Sequence, residues 1–475
     1  MKKLSINKIF WLFVLSLFSI LILSGLVQKG MFLDGITYAA ISNNLANGLG
    51  GFFHPHYTKT WYNEFYMQPP LVFGVQSLFF KLFGSGFLAE RLYSLSMALL
   101  SIYGIILNWK LFTKTFNFKS LSWLPILFWV TTPIIFWSYQ NNMIENTLSV
   151  FALFSVYFIS KGIQSNKIYL LIIGSLFILL CFLTKGLVGL FPLAIVVVHF
   201  IAFRQLSLLK TIAYSLLILI IPAVLFYFLI LIEDGFRQNM MLYIEHQLIP
   251  SLNNEREVTT DNRFGILAQL LMEIAAPIII MGIFLFIYRK KKESLKSKHK
   301  QIAIFFFLIG LSASIPLTIT HQQRAYYLVM SLSFYILGLS ILIAPFANAS
   351  ISQLTKKTIA VLRVFMSTLF IASLIFCIIK FGDYKRDEDR ITDIEKIAEI
   401  VDKGSTISCS SSLYENWGLI AYLSRMANIS IDTEAHKYYI INKHEELINS
   451  PAPFKNSYKE LDLSLNSYKI YQKIK

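Results

Sequence analysis

Long apolar segments recur along most of the chain and are separated by short polar loops. Eleven of them approach or exceed the roughly 17 to 25 residues that an α-helix needs to cross a bilayer. They lie at 9–28, 88–112, 120–138, 146–160, 167–183, 186–203, 211–232, 265–288, 301–319, 326–345 and 357–380. The pattern predicts a mainly α, polytopic membrane protein with about eleven spanning helices.

One further apolar stretch, "PPLVFGVQSLFFKLF" at 69–83, is too short to be counted with them. As a helix it would be about 22 Å long, whereas the hydrocarbon core is about 30 Å thick. We therefore expect an interfacial or re-entrant helix. It would lie in a first outer loop that covers residues 29–87.

Basic residues fall mainly in alternate loops, including "RKKKESLKSKHK" at 289–300. The positive-inside bias then places the N-terminus in the cytosol. The basic start of the chain leads into a long apolar run without a small-residue cleavage site, which predicts an anchor and not a removable signal peptide. An odd number of spans places the C-terminal segment outside, and the predicted location is the cytoplasmic (inner) membrane.

Composition and charge agree with this membrane class. The chain is 55% hydrophobic and carries a net charge of +16. Residues 1–381 contain 30 basic and 12 acidic residues, whereas residues 382–475 contain 13 and 15. The excess of positive charge therefore belongs to the membrane part, where it sets orientation, and nucleic-acid binding is not implied. Three cysteines give neither a disulfide framework nor a CxxC metal site.

The composition changes abruptly after residue 381, which predicts a transmembrane domain at 1–381 and an extracytoplasmic α/β domain at 382–475. In this second domain the pattern predicts two helices and three strands. The helices are expected at 393–404, ending at Gly404, and at 416–425. The strands are expected at 405–411 and near 438–442 and 467–472.

The outer loops contain most of the polar residues that could carry chemistry. Asp34 follows the first span directly and begins a segment at 34–47 that we expect to be helical, ended by Asn47 and Gly48. A carboxylate at this depth must be solvated, paired or capping a helix, because burying it unpaired costs several kcal/mol. A general base is one role for such a carboxylate. Capping the helix is the alternative.

A series of motifs resembles a known family of membrane enzymes. In order, these are the acid after the first span, Pro-Pro-Leu at 69–71, "FGSGFLAERLYSLSMALL", "NNMIENTLSVFALF", "LTKGLVGLFPLAI" and "HQQRAYYL". They resemble the bacterial relatives of the protein O-mannosyltransferases and of the aminoarabinose transferase that modifies lipid A. These are C-type glycosyltransferases, whose donor is a sugar on a polyprenyl phosphate. The resemblance covers roughly residues 9–345, and the C-terminal segment also looks like their outward α/β domain.

The resemblance implies an inverting glycosyltransferase of hexosyl or pentosyl type. It would move a sugar from a polyprenyl-phosphate donor to lipid A, another glycan, a lipid or a protein on the outer side of the membrane. The expected catalytic residues are Asp34 and Glu145. The expected substrate-binding residues are Tyr38, Tyr66, Gln68, Arg91, Lys185, Arg256, Arg263, Arg324 and Tyr327. The family usually has a lysine in place of Gln68, so other cations must hold the donor phosphate, and Arg324 is the first choice.

Several alternatives stay open at this stage. Glu145 could cap its span or pair with a cation, and Arg91 and Lys185 could be snorkelling residues at helix ends. Histidines in the outer loops show no metal-ligand spacing, so no metal site is assigned, and assistance by a divalent ion is left open. A transporter or flippase of lipid-linked glycans is the alternative function. It would be expected to show repeated halves and charges at mid-membrane, and the spans here are nearly free of charge.

Overall fold

The computed structural model describes residues 2–288, 295–445 and 457–474, with side chains from residue 6 onward. In this part of the chain, eight helices are long and apolar enough to cross a membrane, or nine if one bent pair forms a single span. The eight are Ile6–Leu26, Leu88–Thr113, Ile144–Ser165, Ile168–Phe203, Leu208–Ile232, Ser297–Thr318, Ala325–Ser352 and Lys356–Ile379. The predicted polytopic, mainly α fold is confirmed. Part of the basic loop at 289–300 lies outside the described residues.

The exact number of eleven spans is not confirmed, and the difference lies in three segments. The apolar run at 120–138 forms two short helices, Trp123–Thr131 and Pro133–Gln140. They are separated at Thr132, whose extended conformation (ψ 120°) is the one favoured before proline. The run at 265–288 forms Gly265–Glu273 and Ala275–Tyr288, bent by 57°. The third segment is Ile168–Phe203, where two spans were expected.

The helical stretch Ile168–Phe203 reverses direction near Gly186. It consists of Ile168–Lys185, the 3₁₀ segment Gly186–Ala194 and Ile195–Phe203. Gly186 has a positive φ of 62°. A Cβ atom on Gly189 would lie 2.2 Å from the carbonyl oxygen of Cys181, whereas residues this far apart in a straight helix are about 12 Å apart. The chain therefore folds back on itself, and Lys185 lies at the turn.

The short helix Leu71–Phe83 has 13 residues, which is too few to cross a bilayer. Its Phe73 and Phe80 side chains are buried, and its Leu78 and Leu82 side chains are exposed. An apolar exposed side of this kind fits a helix lying at the membrane surface. The other short helical elements include Leu33–Ala46, Asp234–Tyr243, Ile244–Leu248, Ile249–Leu252, Ile315–Thr318 and Ala325–Leu328.

The C-terminal segment forms the small domain with a sheet that the composition predicts. Its strands are β1 (Thr406–Cys409), β2 (Ser430–Asp432), β3 (Tyr438–Asn442), β4 (Tyr458–Leu461) and β5 (Tyr468–Lys473). Their order is β2-β1-β3-β5-β4, with β1 parallel to β2 and β3, and β5 antiparallel to β3 and β4. The helices are Glu388–Ile400, Ser411–Tyr414 and Trp417–Ala427. The first helix ends at Ile400 and not at Gly404, so the predicted C-cap is wrong. Strands β2 and β4 were not predicted.

The C-terminal domain packs directly on the helix that follows the first span. Asn44 of helix Leu33–Ala46 donates a hydrogen bond to the Ser424 hydroxyl at 3.0 Å. In the following loop, the Tyr57 hydroxyl donates to the Trp417 carbonyl oxygen at 3.1 Å. The first loop and the C-terminal domain therefore lie on the same side of the membrane.

Candidate functional site

A cavity of about 350 Å³ opens beside the start of helix Leu33–Ala46. Many of the residues selected from the sequence line it, although they are far apart along the chain. These are Asp34, Tyr38, Gln68, Glu145, Lys185, Arg256, Arg324 and Tyr327. The lining also includes residues that the sequence did not single out, namely Leu33, Thr37, Phe65, Met67, Gln247, Glu257, Gln322, Tyr326 and Trp417. We call this space the Asp34 cavity.

Asp34 lies in the first turn of its helix but does not cap it. The N-cap residue is Phe32, and no side chain caps this end. The Asp34 carboxylate instead accepts a hydrogen bond from the Tyr326 hydroxyl at 2.9 Å. Burial raises the pKa of the Asp34 carboxyl above its ordinary value, and this hydrogen bond and the charges of Lys185 and Arg324 oppose that rise. A carboxylate with a raised pKa is a stronger base when ionised.

Glu145 is fully buried, in the first turn of helix Ile144–Ser165. One of its carboxylate oxygens pairs with the Lys185 ammonium group. The other, Oε2, has no hydrogen-bond partner among the described residues. Lys185 also lies 4.1 Å from the centre of the Tyr327 ring. Its side chain is only 10% exposed, so it is buried in an ion pair and does not snorkel towards solvent.

The remaining cations of the cavity are more accessible. The Arg324 guanidinium pairs with Glu257 at 2.9 Å, and their side chains are 41% and 67% exposed. An exposed pair of this kind contributes about 0 to 1 kcal/mol, so Arg324 can exchange its partner for an incoming anion at small cost. Arg256 and Gln68 line the same cavity and are half-buried. Together with Lys185, these side chains could surround a phosphate group.

Three of the predicted substrate-binding residues do not line this cavity. The Tyr66 ring packs on His246, with 5.2 Å between ring centres. Arg91 is buried and donates to the carbonyl oxygens of Gly30 and Gln140. Arg263 is exposed and donates to the His321 ring at 3.0 Å. The structure therefore brings neither arginine to the position expected for a donor phosphate.

Tyr326 is the functional candidate that the sequence reasoning missed. The motif "HQQRAYYL" contains two adjacent tyrosines, and a helical spacing from Arg324 favoured Tyr327. The chain forms a 3₁₀ turn at Ala325–Leu328, and it is the Tyr326 hydroxyl that reaches Asp34. The pair of tyrosines was the available signal, but choosing between them required the local geometry.

Within the described residues, one group of three potential metal ligands is close enough to share an ion. It consists of Asp432, Glu434 and His436. These residues follow or end strand β2 of the C-terminal domain, and none of them lines the Asp34 cavity. His436 already pairs with the Asp432 carboxylate at 2.7 Å.

A family model and solved structures of other proteins match this chain in sequence and in fold, respectively. Residues 67–230 match the family model of dolichyl-phosphate-mannose-protein mannosyltransferases. The structure is similar to that of ArnT from Cupriavidus metallidurans bound to undecaprenyl phosphate, with a TM-score of 0.66 at 13% identity, over 98% of this chain and 96% of that chain. The apo state of the same protein matches with a TM-score of 0.61 at 14% identity, over 93% of each chain. No curated protein matches the chain by sequence. The predicted resemblance is confirmed at the level of the fold, and by the family model over residues 67–230.

Proposed function

We propose that this chain, which has the fold of the C-type glycosyltransferases, moves a sugar from a polyprenyl phosphate to an acceptor at the membrane surface. The observation that carries the proposal is the Asp34 cavity. It combines a half-buried carboxylate of raised pKa with three cations, next to the end of the first span. A lipid-linked donor would present its sugar and phosphate at this depth. ArnT, a protein of similar fold, was crystallised with undecaprenyl phosphate.

In the proposed reaction, Asp34 is the general base. An acceptor hydroxyl gives its proton to the Asp34 carboxylate while its oxygen attacks the anomeric carbon. The bond from that carbon to the phosphate oxygen breaks, and its electron pair leaves with the polyprenyl phosphate. One direct displacement inverts the configuration of the sugar. The Tyr326 hydroxyl orients the carboxylate by its hydrogen bond.

The cations of the cavity would stabilise the departing phosphate. Arg324 is our first choice, because its guanidinium can exchange the exposed Glu257 for phosphate and can bind two oxygens at once. Arg256 is the second choice. Lys185 is held by Glu145, and we propose that this pair sets the position of the ammonium group and of the neighbouring Tyr327 ring. Tyr38 and Gln68 line the same cavity and would contact the sugar or the phosphate.

We further propose that the cavity faces the outside of the cytoplasmic membrane, with the N-terminus in the cytosol. Single cysteines introduced at Thr60 and Ser85 should both react with an impermeant thiol reagent in intact cells. The three native cysteines are buried, so their background reaction should be low. A cysteine at 85 that reacts only after the cells are permeabilised would contradict this topology.

The reaction itself can be tested by deleting the gene in the organism that encodes the chain. The envelope glycolipids and glycoproteins of the deletion strain and its parent would be compared by mass spectrometry. We expect one mass increment to disappear, and this increment would identify both the sugar and its acceptor. The purified protein should then release polyprenyl phosphate from the matching donor. Loss of the increment in cells without turnover by the purified protein would favour the transporter or flippase.

A further inference from the structure

A second cavity, of about 200 Å³, lies between the membrane domain and the C-terminal domain. It shares no lining residue with the Asp34 cavity. Its walls include Lys29, shortly after the span Ile6–Leu26, and Arg91, in the first turn of the span Leu88–Thr113. Tyr422 and Arg425 enter from helix Trp417–Ala427. We call this space the Arg91 cavity.

Arg91 carries a buried charge that is not matched by an acid. Its side chain is 3% exposed. Its two terminal nitrogens donate to the main-chain oxygens of Gln140 at 2.5 Å and Gly30 at 2.7 Å. Within the described ranges, no carboxylate forms an ion pair with it, and its Nε has no acceptor. Burying a charge without a counter-ion is costly, so a bound anion here would be strongly favoured.

Arg425 has a carboxylate partner but also keeps an unused donor. It is 2% exposed and pairs with the buried Glu90 at 2.5 Å. Its other contacts are to the carbonyl oxygens of Ser85 and Gly86, both at 2.9 Å. Like that of Arg91, its Nε has no acceptor among the described residues. Two buried guanidinium groups therefore line one cavity, and each has an N–H without an acceptor among the described residues.

The charges that line the cavity do not cancel. The cations are Lys29, Arg91 and Arg425, and the acids are Glu90 and Glu395. Glu395 pairs with Lys29 at 2.7 Å, and Glu90 pairs with Arg425. One positive charge, that of Arg91, is left over. The ligand that would complete this arrangement is an anion.

The position of the cavity indicates the source of that anion. Phe87, which lines it, precedes the span Leu88–Thr113 and contacts Phe381, just beyond the end of the span Lys356–Ile379. The cavity therefore lies level with the ends of several spans, where lipid headgroups lie. Met31, Ile36 and Met426 add apolar surface. On the cytoplasmic or matrix side of other membrane proteins, basic pockets between spanning helices bind the head groups of anionic lipids, and the same chemistry applies to this cavity.

We propose that the Arg91 cavity binds the phosphate of an anionic lipid headgroup, apart from the Asp34 cavity. Helix Leu33–Ala46 separates the two, because Ile36 lines one cavity and Asp34, Thr37 and Tyr38 line the other. A lipid bound beside Ile36 would also link this helix to the C-terminal domain. The proposal rests on the charges and contacts of this cavity and does not depend on the proposed sugar transfer.

The test is native mass spectrometry of the full chain, purified in a neutral detergent. Phosphatidylglycerol, phosphatidylcholine and inorganic phosphate would each be titrated separately. We expect one phosphatidylglycerol to bind in preference to phosphatidylcholine. Arg91→Gln should weaken this binding about tenfold, because the unmatched charge is removed. Lys29→Gln removes a cation that is less buried, so it tests the same site if Arg91→Gln fails to fold.

The matched control is Lys380→Gln. Lys380 follows the span Lys356–Ile379 and pairs with Asp383 at 3.1 Å, but it does not line the cavity. Its loss should leave binding unchanged. Equal affinity for the two lipids, or equal losses in Arg91→Gln and Lys380→Gln, would overturn the proposal. Binding of inorganic phosphate that depends on Arg91, without binding of phosphatidylglycerol, would overturn the lipid source and identify a free phosphate instead.

Discussion

Two groups of charged side chains lie on either side of helix Leu33–Ala46 and use their hydrogen bonds differently. Around Arg91 and Arg425, the guanidinium groups bind main-chain oxygens of four different residues and join the membrane domain to the C-terminal domain. In the Asp34 cavity, the charged groups make few contacts. One carboxylate oxygen of Glu145 has no hydrogen-bond partner among the described residues. Arg324 forms its ion pair with Glu257, which is exposed.

At this membrane surface, the role of a charged side chain depends on how firmly its hydrogen bonds fix its position. A guanidinium that is tied to main-chain oxygens stabilises the fold, and a ligand must bind to it where it already lies. A cation in a weak, exposed pair can change partners at little cost. We therefore expect the reaction to take place in the Asp34 cavity. We expect the free energy of unfolding to depend on the contacts of Arg91 and Arg425.

The largest effect should come from breaking the buried pair with Arg425→Leu. This change leaves Glu90 buried without its partner and should lower the free energy of unfolding by about 3 to 5 kcal/mol. Arg386→Leu is the control, because Arg386 forms a more exposed pair with Asp387 and should contribute about 1 kcal/mol or less. Thermal unfolding of both variants in one detergent would measure the difference. Equal losses would mean that the buried pair does not support the domain contact.

A smaller effect is expected for Arg324→Ala. Loss of a charged contact to the donor phosphate should weaken donor binding about tenfold and slow transfer as well, without changing stability. Gln68→Lys should restore part of the loss, because both positions line the same cavity. Donor affinity and turnover would be measured for the wild type, both single variants and the double variant. Unchanged donor affinity in Arg324→Ala, or no recovery in the double variant, would show that the two positions do not share a phosphate.

The smallest effect should be a shift in the pH dependence of Tyr326→Phe. Asp34 must be ionised to act as a base, so activity should fall as the pH drops through its raised pKa. The Tyr326 hydrogen bond favours the ionised form. Its removal should raise the Asp34 pKa further and move the acidic side of the profile to higher pH.

Tyr327→Phe is the matched control for that shift, because Tyr327 lines the same cavity while the hydrogen bond to Asp34 comes from Tyr326. The acidic side of its pH profile should stay in place. An equal shift in both variants would argue against a specific effect of Tyr326 on the carboxylate.

The elements that could be predicted were those whose signal lies within a short segment. Apolar length identified the spans, and the helix predicted from Asp34 to Asn47 is observed as Leu33–Ala46. The break at Thr132 carried a local signal, the following Pro133, that apolar length obscured. Strand β2 has three residues, and its pairing with β1 depends on a neighbour that its own sequence does not specify.

The roles of individual charged residues were harder to predict. Arg91 and Lys185 both lie near the ends of helices, and the sequence offers no way to tell them apart. Their positions depend on partners that are distant along the chain, Gly30 and Gln140 for Arg91 and Glu145 for Lys185. The sequence thus predicted the residue types of the site, and the folded chain determined which of them face the cavity.

The role of Asp34 as the general base is tested by comparing the purified wild type with Asp34→Asn. Sugar transfer from the polyprenyl-phosphate donor and donor binding would be measured in the same preparation, with Asp383→Asn as an exposed control on the same face. We predict that Asp34→Asn binds donor and stays folded, while transfer falls by about 10² to 10⁴ and the control is unaffected. Transfer by folded Asp34→Asn at a rate close to that of the wild type would show that Asp34 is not the general base.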